Sequence, residues 1–309
     1  MNIQSPLTGK TDITWLKTIA ADTLINDWNQ TFKINISSEL REYKEIHLYQ
    51  CNKTKLKFFF PFDIAGSEKL YEQLQKIDWF YTPDKWEHKV ALRNLSNCND
   101  ILEIGCAFGS FVESALKLGL NAQGIELNSS AVEVAKKNNL PVESIDLQEF
   151  AETYPLSQDA ICSFQVLEHI PQPKNFIELC LRTLKPGGKL IFCVPNAESF
   201  LQYQYDLLDM PPHHMTQWKA STFKALENIF AVKLEKVIKE PLHYYHVDTY
   251  LHSYGNHICS ISPLGKIIFN QYTIPLYGYF LKAGLRNLVT GHSLYVQFRK
   301  LDGQKSDLN

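Results

Sequence analysis

The chain has 309 residues, 45 % of them apolar and 21 % charged. That length allows about two domains, or one with large additions, and the composition excludes bulk disorder. Lys and Arg total 31 against 33 Asp and Glu, a net charge of −2, with no long block of one sign. A protein that grips nucleic acid by its phosphates usually carries a basic stripe, so no nucleic-acid partner is expected. The seven cysteines are odd in number and form no CxxC pair, which points to neither a disulfide framework nor a CxxC-type zinc site. The start, MNIQSPLTGKTDITWLK, lacks the pattern of a signal peptide, and no stretch of about 18 apolar residues occurs. A soluble, cytoplasmic protein without a membrane span is the expectation.

In chain order, residues 1–85 form an N-terminal accessory region. Trp15–Trp28 and Glu68–Asp78 are expected as helices, and Lys55–Phe60 as a strand edge. Its aromatics, among them Trp15, Trp28, Phe58, Phe59, Phe60, Trp79, Phe80 and Tyr81, need burial. The stretch Tyr81 to Trp86-Glu87-His88 should form a helix leading into the main domain, residues 86–300. There, short apolar runs alternate with helical patterns. Ile101–Ile104 reads as a strand, Phe111–Leu118 as a helix capped by Gly119, and Ala122–Leu127 as the next strand. Ser130-Ala131-Val132-Glu133 reads as a capping box opening a helix to about Asn138. Val142–Ile145 is a third strand, followed by a helix near Leu147–Tyr154.

Asp159–Phe164 is a fourth strand, Asn175–Leu184 a helix, Lys185-Pro186-Gly187-Gly188 a turn and Leu190–Val194 a fifth strand. Beyond Pro195 the rhythm changes. Ser221 looks like the N-cap of a helix through Phe230, and Ala231–Val237 alternates like a strand. Residues 241–292, rich in Tyr, His, Gly and Pro, read as an insertion of short helices. Ser293–Phe298 is a last strand, and residues 301–309 a tail. Strand–helix alternation of this kind predicts an α/β fold, a mostly parallel sheet with helices on both faces.

The chemistry concentrates at Glu103-Ile104-Gly105-Cys106-Ala107-Phe108-Gly109, the first strand-to-helix turn. Glycines there let the backbone bend tightly and a ligand approach closely. Glu126 lies at the end of the second strand, where a carboxylate can accept hydrogen bonds from both hydroxyls of a ribose. Nicotinamide-binding turns usually read G-x-G-x-x-G, whereas Gly105 and Gly109 are spaced G-x-x-x-G. The preceding acid, Glu103, suits a cation better than a pyrophosphate. The ligand implied is a nucleoside with a positively charged tail, a description that S-adenosylmethionine fits.

Over roughly residues 86–300 the chain resembles the class I S-adenosylmethionine-dependent methyltransferases. EIGCAFG resembles the first family motif, GIELN (Gly124–Asn128) the acidic loop, IDLQEF (Ile145–Phe150) the adenine loop, SFQVLEHI the fourth-strand motif and LKPGGKLIFCVPN the fifth. The resemblance implies a Rossmann-like seven-stranded sheet of order 3-2-1-4-5-7-6 with strand seven antiparallel. It also implies that Glu103, Gly105, Cys106 and Gly109 line the methionine end of the donor. Glu126 would hold the ribose with Leu127 against the adenine, Asp146 and Leu147 would meet the adenine, and Gln165 and His169 would border the sulfonium and the acceptor. Ala107 departs from the pattern, where a third glycine is common.

A second cluster, Met210-Pro211-Pro212-His213-His214-Met215-Thr216-Gln217-Trp218, resembles a PPHH…W segment that borders the acceptor pocket in a subset of the family. Transfer to a hydroxyl requires removal of a proton, which suits a histidine near neutral pKa. His214, His213 and His169 are the candidates for that base. If the segment is extended, His213 and His214 point to opposite sides, so that one reaches the acceptor. A metal at these histidines is not expected, because a third ligand at suitable spacing is missing. Leu48–Thr54 with Phe58–Pro61 resembles a worn zinc ribbon that keeps only Cys51, so no zinc is expected there either. The functional expectation is a methyltransferase acting on a small molecule, at a hydroxyl oxygen. A catalytically inactive binding relative and a nicotinamide oxidoreductase stay as alternatives.

Overall fold

The computed structural model describes residues 3–77 and 85–302. Eleven strands run in chain order: β1 (Ile13–Ala20), β2 (Glu45–Cys51), β3 (Lys57–Phe60), β4 (Asp100–Ile104), β5 (Asn121–Ile125), β6 (Val142–Glu143), β7 (Gln158–Phe164), β8 (Leu184–Pro195), β9 (Thr216–Gln217), β10 (Val232–Pro241) and β11 (Thr290–Lys300). Seven of them form one sheet in the order β10-β11-β8-β7-β4-β5-β6. Counted within that sheet, this is 3-2-1-4-5-7-6, as expected. β4, β5, β6, β7 and β8 pair in parallel, while β11 runs antiparallel between β8 and β10.

Alternation along the buried strands divides the core in two. Leu102, Ile104, Ile161, Leu190, Phe192, Leu294 and Val296 face one side, packed with helices Leu147–Thr153 and Pro173–Thr183. Ile101, Ala160, Cys162, Ile191, Cys193 and Tyr295 face the other, against helices Trp86–Asn94, Ser110–Lys117 and Ser129–Lys137. A sheet covered on both faces needs near-continuous apolar strands, and these supply them. Residues 185–188 loop out of β8: Leu184 pairs with Gln158 and Lys189 with Ala160, with Gly187 at φ +73°.

Several local expectations are corrected. Trp15 lies on β1, exposed, because Ile13–Ala20 pairs along β2 before the helix Ala21–Phe32 begins. Helix Ser129–Lys137 is capped by Asn128, whose side chain accepts from the amides of Ser130 and Ala131, and not by a Ser130–Glu133 box. An Asn cap contributes about 1 kcal/mol. Helix Ala220–Ala225 starts after Lys219, so Ser221 lies inside its first turn. The helix expected over Glu68–Asp78 spans Glu68–Leu74, and helix Trp86–Asn94 follows Lys85. Asp78, Trp79, Phe80 and Tyr81 lie outside the described residues.

The N-terminal region builds a second sheet, β1-β2-β3-β9, all antiparallel. Its core gathers Leu24, Trp28, Leu40, Phe59 and Leu70, and is completed by Leu207, Met210 and Met215 from beyond the main parallel strands. This sheet and its core therefore draw on both sides of residue 86. Between β10 and β11, residues 244–288 form short helices over a small core of Phe200, Leu242, Val247 and Leu251.

Candidate active site

A cavity of about 1940 Å³ opens at the carboxyl ends of the parallel strands, roofed by the N-terminal sheet and the 244–288 insertion. Ligands in open α/β sheets bind at this edge. One half of the cavity is assembled at the turn after β4. Gly105 adopts φ +72°, and a Cβ there would meet the Val166 side chain at 2.4 Å, so only glycine fits between the first turn and the loop after β7. Glu126 stands beside this turn. Its Oε2 accepts from the Ala107 amide at 2.9 Å and its Oε1 from the Asn128 amide at 2.8 Å, which holds the carboxylate rigidly at the cavity wall.

Leu127 is 65 % exposed and Leu147 buried, yet both line the cavity with Ile145 and Asp146. Asp146 also caps helix Leu147–Thr153, accepting from the Glu149 amide at 2.8 Å. Gln165, at φ +55°, donates its amide N–H to the Cys193 carbonyl and its Nε2 to Glu87 Oε1 at 3.3 Å. These residues form one wall.

Glu103, Cys106 and Gly109 lie behind that wall instead of on it, for packing reasons. The Cys106 side chain fills the space over Gly124, and a Cβ on Gly109 would press on Leu140 at 2.8 Å. Burial raises the Cys106 thiol far above its usual range. Glu103 is buried under the turn with Oε2 unpartnered among the described residues, and burial raises its carboxyl well above the usual value, opposed by Lys85. Glu126 at the cavity wall, with Leu127, Ile145 and Leu147 beside it, would suit the ribose and adenine of S-adenosylmethionine, so the residues present fit that donor.

The other half of the cavity holds the three histidines. Both the His213 and His214 amides donate to the Met210 carbonyl, at 3.1 and 3.0 Å, so the segment is a tight turn, not extended. The two rings consequently stack on one side, 4.5 Å apart, instead of diverging. His169 arrives from the loop after β7, its Nδ1 2.6 Å from the His213 carbonyl. One ring nitrogen from each of the three lies within 4.8 Å of the others. The third imidazole that the local spacing lacked is thus supplied by the fold, and the set is geometrically able to hold a cation.

Burial moves these groups away from their charged forms. His169 falls to about 4, and His213 and His214 fall well below 6.5, so all three are neutral imidazoles and not the near-neutral titrators expected. His214 Nδ1 lies 3.2 Å from Asp209 Oδ1. Asp209, pushed up to about 7 by burial, also accepts from Gln217 Nε2 at 2.7 Å. With Nδ1 protonated toward Asp209, His214 keeps its Nε2 lone pair, and the carboxylate stabilises the imidazolium that would form. Glu168 is 2 % exposed with both oxygens unpartnered among the described residues, and burial pushes it up to about 8. Neither Asp209 nor Glu168 was singled out by the sequence pattern. A carboxylate five residues before a histidine in irregular chain has no periodic signature, and Glu168 reads as an ordinary helix-start acid.

Against this geometry stand the similarities to known proteins. Residues 55–302 match the family model described as a methyltransferase domain. A ubiquinone biosynthesis O-methyltransferase of Idiomarina loihiensis is 27 % identical over 157 residues, 47 % of this chain and 65 % of that one. Its counterpart in Nitrosococcus oceani is 34 % identical over 102 residues, covering 31 % and 43 %. The chain thus spans about half of the length of such curated relatives. A SAM dependent methyltransferase structure from Archaeoglobus fulgidus aligns over 69 % of this chain and 94 % of that one, at 19 % identity and a TM-score of 0.45. With most of its length inside the family model and the family's sheet order in its core, the chain belongs to the class I S-adenosylmethionine-dependent methyltransferases.

Proposed function

We propose that the protein transfers a methyl group from S-adenosylmethionine to a hydroxyl oxygen of a small-molecule acceptor. The observation that carries this reading is the pairing of buried His214 with Asp209 on the same cavity as the Glu126 ribose anchor. The O-methyltransferase names of the relatives support it.

The bound donor supplies an electrophilic methyl. Methyl transfer is an in-line displacement at carbon, and the chain's tasks are to orient, exclude water and take a proton. Glu126, Leu127 and Leu147 hold the nucleoside end, while Gln165 and Val166 border the passage toward the acceptor half. His214 Nε2 takes the hydroxyl proton as the oxygen attacks, and Asp209 balances the charge through Nδ1. His169, bonded to the His213 carbonyl, fixes the turn on which His214 sits.

Calorimetry with S-adenosylhomocysteine and with NAD tests the cofactor, and a metabolite pool incubated with methyl-labelled donor tests the acceptor. Binding of S-adenosylhomocysteine alone, with label retained after base hydrolysis of esters, fits the reading. NAD binding would move the chain to the oxidoreductases, and binding of neither would make it an inactive relative. The converging imidazoles favour one second reading, in which a divalent cation on His169, His213 and His214 lowers the acceptor's pKa. Loss of turnover on chelation, restored by added metal, would select that reading over direct proton removal.

A further inference from the structure

The N-terminal sheet turns one face to the cavity. Lys57 on β3 stands opposite Gln50 on β2 and Gln217 on β9, and Lys17 on β1 stands opposite Leu48 on β2. Gln50 and Leu48 are two apart on one strand, so these side chains share a face. Lys17, Leu48, Lys57 and Gln217 all line the cavity. This is the same wall that carries Asp209, to which Gln217 donates.

The charges on that wall do not balance. Asp209 is engaged by His214 and Gln217, and Glu198 is ion-paired to Lys219 at 3.3 Å. Among the described residues the ammonium groups of Lys17 and Lys57 form no hydrogen bond or ion pair. Lys57 is half-buried, and its ammonium is pushed below the ordinary lysine range by burial, with Lys219 and Lys17 adding to the repulsion against the opposing pull of Asp209 and Glu198. A desolvated, unpaired ammonium is costly unless a ligand supplies the counter-charge.

We propose that Lys57 and Lys17 form an oxyanion subsite that holds a phosphate or carboxylate group of the acceptor. This deepens the methyltransferase reading and rests on it. The subsite gives the N-terminal region a role in substrate choice. The anion anchors one end of the acceptor at the small sheet, and the hydroxyl at its other end is presented to His214. A neutral acceptor of the same shape would leave both ammonium groups unpaired and bind less well.

The test is calorimetry on the full chain saturated with S-adenosylhomocysteine, using pyrophosphate, protocatechuate and the neutral catechol as probes. Failure to bind S-adenosylhomocysteine sinks the methyltransferase reading, whatever the anions do. Given that binding, at least one anion should bind about tenfold or more tightly than catechol, and the affinity should fall with added salt. Pyrophosphate alone marks a phosphate acceptor, and protocatechuate alone a carboxylate one. Lys57→Met should lose about tenfold or more of the anion affinity with S-adenosylhomocysteine binding intact, and Lys57→Arg should restore most of it. The proposal is overturned if no anion binds better than catechol, or if Lys57→Met binds anions like the parent protein.

Discussion

In the donor half of the cavity, the wall runs through consecutive strand-to-helix turns, from Gly105 through Glu126 and Asp146 to Gln165. In the acceptor half, Lys17, Lys57, Tyr71, His169, Asp209, His214 and His292 come from segments scattered over nearly the whole chain. The donor wall is held by backbone: Gly105 donates to the Ile125 carbonyl and Glu126 is pinned by two amides. The acceptor wall adds side-chain bonds to its backbone turn, with His213 Nδ1 2.8 Å from the Leu208 carbonyl and the Trp218 indole donating to Thr216 at 2.9 Å. Backbone-built sites follow from strand order and tolerate side-chain change. Side-chain-built sites depend on how remote segments dock.

The sharpest way to break this comparison is at His214. His214→Ala should lower turnover by about 10²–10⁴-fold while S-adenosylhomocysteine affinity stays unchanged. Asp209→Asn should fall in the same direction by less, and normal turnover in both variants would remove the base from this wall. On the donor side, Glu126→Ala should weaken S-adenosylhomocysteine by tenfold or more, since charge-assisted hydrogen bonds contribute about 1.5–3 kcal/mol each. Unchanged calorimetric affinity in a folded variant would dissolve the ribose assignment.

The pH dependence of stability reports on the acceptor half. Glu168 keeps its proton to about 8 in the folded chain but releases it near 4.5 once unfolded. Between those values the folded state binds more protons, so stability falls as pH rises through that window. Glu168→Gln should flatten this fall, by roughly 1–3 kcal/mol at its upper end. His169 and His292 act at the acid side: each titrates at about 4 when folded and 6.5 when unfolded. The unfolded chain then binds more protons, and stability drops as pH falls from 6.5 toward 4. Urea titrations at several pH values would read both limbs, and an E168Q variant with an unchanged alkaline slope would discard the buried-acid account.

The smallest effect concerns the seam between the two sheets. Gln75 accepts from Asn128 Nδ2 at 2.9 Å and donates to Ser130 at 2.8 Å, tying the N-terminal helix to the loop that follows Glu126. Gln75→Ala should cost about 1 kcal/mol in thermal or urea stability and weaken donor binding a few-fold. A stability loss without any change in donor binding would mean that the donor wall stands without the N-terminal region.

The parallel strands and the glycine turn were legible in the sequence because they rest on local signals, while the strand order followed from the family resemblance. Apolar runs set the parallel strands, and Glu126 follows the Gly105 turn at a fixed distance along the chain. Even there, packing reassigned Glu103, Cys106 and Gly109, because which side of a turn faces a cavity depends on what packs behind it, here Gly124 and Leu140. The stacking of His213 on His214, the arrival of His169 as their neighbour, the Asp209 pairing and the placement of Lys57 beside Gln217 on the same cavity were decided by tertiary structure alone. Each joins residues with no periodic relation along the chain, and their protonation follows from burial, a property that exists only after the chain has folded.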